Sequence, residues 1–335
     1  MNKRILALVV VLSVLSTAGP LPALTIKLGT VAPEGSPWHA ALQEMGAAWQ
    51  EISGGEVKVR IYPGGVAGDE PDLLRKIRIG QLHAAALSKA GLYALAPDID
   101  LISWPLMLRS DDELDLLIKT VGPKLEAQLM EKGFKVLNWS SAGWVYFFSR
   151  DPVFMPEDLQ RQKLFFWGSD TEYIELLKKS GFQPVPLAIN DLLPSLQTGL
   201  VDAFGAPPVA ALSFQWFSLT PNMADLKWQP LPGATVVSLK TWRKIPADLS
   251  PQLEKAAFDI GMRFRDRITA LNDEALLVMQ EHGLKVNKVS PEGAAYWKKE
   301  FLEKAGEDFI NRRYDRELYE KVLKILDEYR AAGSP

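Results

Sequence analysis

The chain has 335 residues, 47% of them hydrophobic and 24% charged, enough to bury a sizeable core in one large or two medium domains. A net charge of −3 leaves no basic footprint for nucleic acid. With no cysteine there is no disulfide, thiolate nucleophile or Cys-ligated metal, and the three histidines, His39, His83 and His282, do not fall at metal-ligand spacing.

Residues 1–23 read as a cleavable export signal. Asn2-Lys3-Arg4 is a basic start, residues 5–14 are an almost unbroken apolar run, and residues 17–23 bring small residues and helix breakers. The run falls short of the roughly 20 apolar residues that span a bilayer. Cleavage is expected near Ala23, with Ala18 as the other candidate, and a mature N-terminus without cysteine carries no lipoprotein anchor. The expected product is exported, soluble and periplasmic.

The mature chain opens with an alternating strand over residues 25–29 and a loop over 33–37. Residues 38–52 form a helix with Ala41, Met45, Ala48, Trp49 and Ile52 near helical period, ended by Ser53-Gly54-Gly55. A strand over 57–61, a helix over 69–80 closed by Gly80, and a short buried strand over 84–87 follow. This alternation implies parallel strands with helices on both faces. A helix over 111–132 and a strand over 134–139 come next, and after Trp144 the pattern restarts. Strands over 145–149 and 163–167, a helix over 172–180, and short strands over 185–187 and 200–204 around a helix near 192–197 make a second α/β unit of similar size. Nothing linker-like separates the units, so the chain is expected to cross between them through short hinge strands. Residues 234–240 are β-rich, and 248–282 read as one long helix, the alternative being two helices broken near Asn272. Residues 291–332 are charged and helical.

No Gly-x-Ser-x-Gly elbow, phosphate loop or dinucleotide fingerprint occurs. Asp69-Glu70 and Asp111-Asp112-Glu113 read as solvated faces or helix N-termini. No catalytic residue, metal site or cofactor is nominated, and the chain is not expected to be an enzyme.

Several short patterns, in order along nearly the whole mature chain, resemble the solute receptors of TRAP transporters. They are Lys27-Leu28-Gly29 with Pro33-x-Gly35-Ser36-x-Trp38; Gly55-Glu56-Val57-Lys58-Val59 with Tyr62-Pro63-Gly64 and Gly68-x-Glu70; and Trp104-Pro105-Leu106. Further on come Pro156-Glu157-Asp158-Leu159 with Lys163-Leu164, then Leu196-Gln197-Thr198-Gly199-Leu200-Val201-Asp202, and Trp242 with Ile245-Pro246-Ala247-Asp248-Leu249. The resemblance implies a two-lobed α/β periplasmic binding protein fold with discontinuous lobes, hinge strands and a long bracing helix. Lobe I is then expected over 24–142 plus 232–271, and lobe II over 143–231 plus 272–335. The implied function is to close on a solute and deliver it to the membrane subunits of a transporter driven by ion gradients.

Four positions depart from the family pattern. Where the family places a central carboxylate-binding arginine, this chain has Phe165; a family asparagine is matched by Ala206, a second arginine of some members by Trp144, and a glutamate of others by Ser88. A guanidinium fork is suited to a carboxylate, and burying a carboxylate without such a partner costs several kcal/mol. The cleft is therefore expected to be apolar and to suit a hydrophobic or amphipathic ligand. Trp144, Phe165, Ala206 and Ser88 are the main candidates for its lining, with Trp38, Tyr146, Trp167 and Phe204 beside them. The pairing rests on period two: Phe165 and Trp167 share a strand face, as do Trp144, Tyr146 and Phe148. Packing in the core is the competing reading for these rings. Arg150 reads as a solvated loop residue, the alternative being a stand-in for the missing arginine. Loss of that arginine resembles the subset of the family that works with a tetratricopeptide-repeat periplasmic partner. A periplasmic sensor or scaffold with the same fold is the alternative function.

Overall fold

The computed structural model describes residues 23–168 and 170–333. The export signal expected over residues 1–23 lies outside them except for its last residue.

Strand β1 (Leu24–Thr30) leads to helix α1 (Pro37–Ile52), β2 (Val57–Tyr62), α2 (Glu70–Arg78) and β3 (Ala84–Ser88). Ser36 caps α1 by accepting from the His39 amide, and Pro37 brings its fixed φ to the first helical position. Asp69 caps α2 by accepting from the Glu70 amide. Next come α3 (Lys89–Tyr93), a 3-10 turn (Pro97–Ile102), α4 (Asp111–Glu131) and β4 (Phe134–Ser149). The second unit holds α5 (Pro156–Gln160), β5 (Lys163–Trp167), α6 (Thr171–Lys179), β6 (Gln183–Leu187), α7 (Leu192–Thr198) and β7 (Ala203–Ala206). The chain then runs through α8 (Pro208–Ser213), β8 (Asn222–Asp225), β9 (Gln229–Ser238), α9 (Leu239–Trp242) and α10 (Ser250–Glu281). It ends with β10 (Lys285–Lys288), α11 (Pro291–Arg313) and α12 (Arg316–Ala331).

The strand order is β2-β1-β3-β9-β4-β7-β5-β6, with β8 beside β4 and β10 beside β8. β1 pairs in parallel with β2 and β3, and β5 with β6 and β7, as strand–helix–strand connections require. The first part of β4 pairs with β9, which lies on β3, whereas its last part pairs with β7 and β8. β4 thus belongs to both halves of the molecule.

Two strands expected over 134–139 and 145–149 are in fact this one 16-residue strand. Between them the pairing with β9 absorbs the irregularity at Ser140-Ser141-Ala142-Gly143 as a bulge, with the register shifting between Ser141 and Trp144. Gly143 sits there at φ 96°, a conformation that side chains disfavour.

Helix α10 is continuous over 32 residues, about 48 Å at 1.5 Å per residue, with no break at Asn272. The amide of Asn272 ties both halves to it. Its Nδ2 donates to the Ala142 carbonyl at 3.0 Å, and its Oδ1 accepts from the Val209 amide at 3.1 Å. A Cβ on residue 143 would lie 2.4 Å from that Nδ2, a second reason for glycine.

One core fills the space between β1–β3, α1 and α10, where Trp49 is buried and its Nε1 donates to the Leu253 carbonyl at 2.9 Å. In the C-terminal part, α11 brings Trp297 and Phe301 against Trp228, and Tyr314 and Phe309 pack around Trp104. Aromatic pairs of this kind contribute roughly 0.5–1.5 kcal/mol each beyond their buried area. No helix among the described residues is long and apolar enough to cross a membrane.

Candidate ligand-binding site

The C-terminal ends of β1 and β3 face those of β5 and β7 across a cavity of about 540 Å³. Strand ends of this kind are where loops and helix starts leave room for a ligand in α/β sheets, and the volume suits a small organic molecule. The walls are mostly aromatic and aliphatic, and the ionisable groups gather around α3.

Five of the eight residues singled out from the sequence line this chamber: Trp38, Ser88, Phe165, Trp167 and Ala206. Phe165, at 7% exposure, presents its ring where the family resemblance places an arginine. The hydroxyl of Ser88 has two local tasks, donating to Glu70 Oε2 at 2.9 Å and capping α3 through the Ala90 amide at 3.1 Å.

Trp144, Tyr146 and Phe204 do not line the chamber, which corrects the expectation for them. The reason is the alternation of β4. Val145 and Phe147 face the cavity, so residues 144, 146 and 148 point away. Trp144 donates from Nε1 to Asp111 Oδ1 at 2.9 Å, with the Lys227 ammonium 5.1 Å above its ring. Tyr146 is held among buried apolar residues near Asp225 and Asp273, and burial pushes its phenol up to about 12. Phe204 is fully buried and stacks on Phe148, ring centres 5.2 Å apart, with its neighbour Gly205 at the wall instead. Arg150 also lies off the chamber, donating to the Leu196 carbonyl with Asp202 beside it at 3.5 Å.

The charged groups of the wall were not legible as such in the sequence. Lys89 Nζ lies 2.9 Å from Asp100 Oδ1. Arg313 donates from Nε to Asp100 Oδ2 at 2.9 Å and from Nη1 to Asp170 Oδ1 at 3.0 Å, and its Nη2 reaches both carboxylates. Burial alone would push Asp100 up, but the Lys89 and Arg313 charges outweigh it and hold its carboxyl below the ordinary value. Burial likewise opposes the charge of Arg313, and the bonds to Asp170 and Asp100 overcome it. The two cations of the wall are thus matched by carboxylates already in place.

Glu70, expected on a solvated face or at a helix N-terminus, starts α2 but is only 1% exposed. Burial raises its carboxyl to about 7, against the lowering effect of bonds from the Ser88 amide and hydroxyl and the Gly91 amide. Those bonds measure 2.7, 2.9 and 2.6 Å.

One edge of the chamber is closed by contacts between the two halves. Asp69 accepts from the Trp167 indole at 3.3 and 3.2 Å and from the Ile189 amide at 3.3 Å. Beside it Asn190 Nδ2 donates to the Gly64 carbonyl at 3.4 Å.

Residues 28–310 match the model of the bacterial extracellular solute-binding proteins, family 7, which covers most of the chain. The chain belongs to this family. As a TRAP periplasmic solute receptor, it has the fold expected from the resemblance. A solute-binding protein of Chromohalobacter salexigens is 24% identical to this receptor, with 78% of each chain aligned. A TRAP periplasmic solute-binding protein of Sulfurospirillum deleyianum, solved with bound succinate, is 23% identical with a TM-score of 0.83, covering 90% of this receptor and 99% of that chain. A counterpart from a Sulfitobacter species, solved with bound β-D-galacturonate, is 19% identical with a TM-score of 0.82, covering 90% and 98%. At these identities the solved structures establish the fold.

Proposed function

We propose that the receptor closes two lobes, 24–142 plus 232–271 and 143–231 plus 272–335, around an apolar or amphipathic small molecule, which it releases unchanged to TRAP membrane subunits. The observation that supports this ligand class is that, among the described residues, the cations of the chamber wall are already paired with carboxylates. Phe165 occupies the position matched to the family's arginine, and Lys89 and Arg313 are both engaged by Asp100, with Asp170 also on Arg313. A carboxylate entering such a chamber gives up water without gaining a free guanidinium, whereas apolar ligand surface gains about 25 cal/mol per Å² buried.

A second reading is an organic acid seated on Lys89. It is favoured by the relatives solved with succinate and galacturonate and by the partial exposure of the Lys89 side chain, 14%.

Native mass spectrometry of protein purified without added ligand separates the two. A co-purifying lipid-like mass supports the first reading; a small hydrophilic acid overturns it in favour of the second. Delivery through a cleavable signal to the periplasm, without a lipid anchor, belongs to the same proposal, as does a tetratricopeptide-repeat partner. Co-expression of receptor and repeat protein that yields two separate species removes that partner. A neighbouring sensor-kinase gene in place of membrane-subunit genes would turn the reading to a sensor.

A further inference from the structure

The chamber has a second arm that the ligand-binding cleft alone does not require. β5 and β7 share one register pair, Leu164↔Ala203, and beyond it neither strand pairs with the other. The chamber is lined from both faces of β5, by Phe165 and Trp167 on one and by Leu164 and Phe166 on the other. The two groups of residues belong to different packed cores, Phe165 to one and Leu164 to the other. The cavity therefore passes the opened seam between β5 and β7 and continues behind the sheet.

The arm behind the sheet has a polar mouth and an apolar end. At its mouth are Lys89, Gln229 and Tyr173, with Lys89 Nζ 3.5 Å from Gln229 Oε1 and 5.8 Å from the Tyr173 ring centre. From there the wall runs along α6 from Tyr173 to Leu177 and ends at Phe182. Phe182 precedes Gln183, which pairs with Lys163 at the far end of β5 from the cleft. The five residues of β5 from Trp167 back to Lys163 span about 13 Å at ~3.3 Å per residue. Below its mouth the described residues that line this arm include the apolar Phe147, Leu164 and Leu177. An apolar arm of that depth with one polar end fits a linear chain better than a ring or a sugar.

We infer that the ligand is an amphiphile with a single unbranched alkyl tail, the tail lodged behind β5 between Phe147 and Leu177 and the polar head at Lys89 and Gln229. This rests on the apolar reading of the chamber given above, and it adds the shape of the ligand to it. Each methylene that enters the arm is removed from water, so affinity rises step by step until the arm is full.

The test is calorimetric titration of the delipidated receptor with two homologous series, n-alkanoates and 1-alkanols from hexyl to tetradecyl, with succinate and glucuronate alongside. Affinity should tighten about fourfold per methylene and then level off. The alkanoate series lying above the alkanols at equal length would assign a carboxylate head to Lys89; the reverse order would assign a neutral head, and both retain the tail. Leu177→Phe, which fills the far end of the arm, should move the plateau to a shorter chain; if that variant does not fold, Leu177→Ala, which empties the same place, should move the plateau to a longer chain. Binding of amphiphiles with no dependence on chain length would overturn the tail while leaving the apolar chamber. Binding of succinate or glucuronate with none of either series would overturn both.

Discussion

Asp69 and Trp167 meet across the chamber, the indole Nε1 donating to both carboxylate oxygens at 3.3 and 3.2 Å. The first residue caps α2 in the β1–β3 half and the second ends β5 in the other, so this contact exists only when the halves are together. Asn caps a helix as well as Asp does, so Asp69→Asn keeps the cap and weakens the charge-assisted contact. Ligand affinity should fall roughly three- to tenfold, mainly through faster release, because a hydrogen bond to a charged group contributes about 1 kcal/mol more than one to a neutral group. Stopped-flow displacement reads this directly, and an unchanged release rate would show that the contact does not hold the closed state.

Glu70 makes stability depend on pH in an unusual direction for a carboxylate. Its native value, raised by burial to about 7, exceeds the ordinary 4.5, so between these values the native state binds more protons than the unfolded chain. The resulting stabilisation is complete below 4.5 and is lost as pH rises through about 7. Melting temperatures across that window should decline by an amount equivalent to about 1–3 kcal/mol, and Glu70→Gln should flatten the decline. A profile of equal slope in both proteins would assign the dependence to other groups.

Arg313 is the largest buried electrostatic commitment in the described residues, with its side chain 1% exposed and Asp100 and Asp170 both on its guanidinium. Arg313→Met leaves Asp170 without this cation and Asp100 with Lys89 alone, and should cost about 3–5 kcal/mol. Urea unfolding measures this through the shift in midpoint. A loss below about 1 kcal/mol would mean that Asp100 is sufficiently held by Lys89 alone.

Phe165→Arg restores the charge that the family resemblance places at this position. In a wall whose other cations are already matched, a new guanidinium should weaken an apolar ligand tenfold or more and create measurable binding of succinate. Calorimetry with both ligands checks it; unchanged affinity for each would remove Phe165 from the site.

The elements that sequence reading located are those whose period and punctuation are local. Helix α1 follows from Ala41, Met45, Trp49 and Ile52 with a Ser-Gly-Gly stop, and α10 from an apolar recurrence that ran unbroken past Asn272. The sequence pattern restarts after Trp144 and so divides β4 in two, while the continuity of the strand comes from β9, far away in the chain. β8 and β10 were missed because Asn222–Asp225 and Lys285–Lys288 carry little apolar alternation and depend on pairing with each other. In the site, strand period told which rings share a face but not which face is the chamber, and on β4 that choice placed Trp144 and Tyr146 where Val145 and Phe147 belong. Arg313 had no signal at all. It sits in a charged helix beside Arg312, and its meaning lies in Asp100, 213 positions earlier.

The four indoles on the chamber wall, Trp38, Trp167, Trp216 and Trp228, out of ten in the chain, give the molecule its own optical gauge. Anything that displaces solvent from that space changes the polarity around these rings, so occupancy can be followed by ultraviolet emission with no dye or label attached.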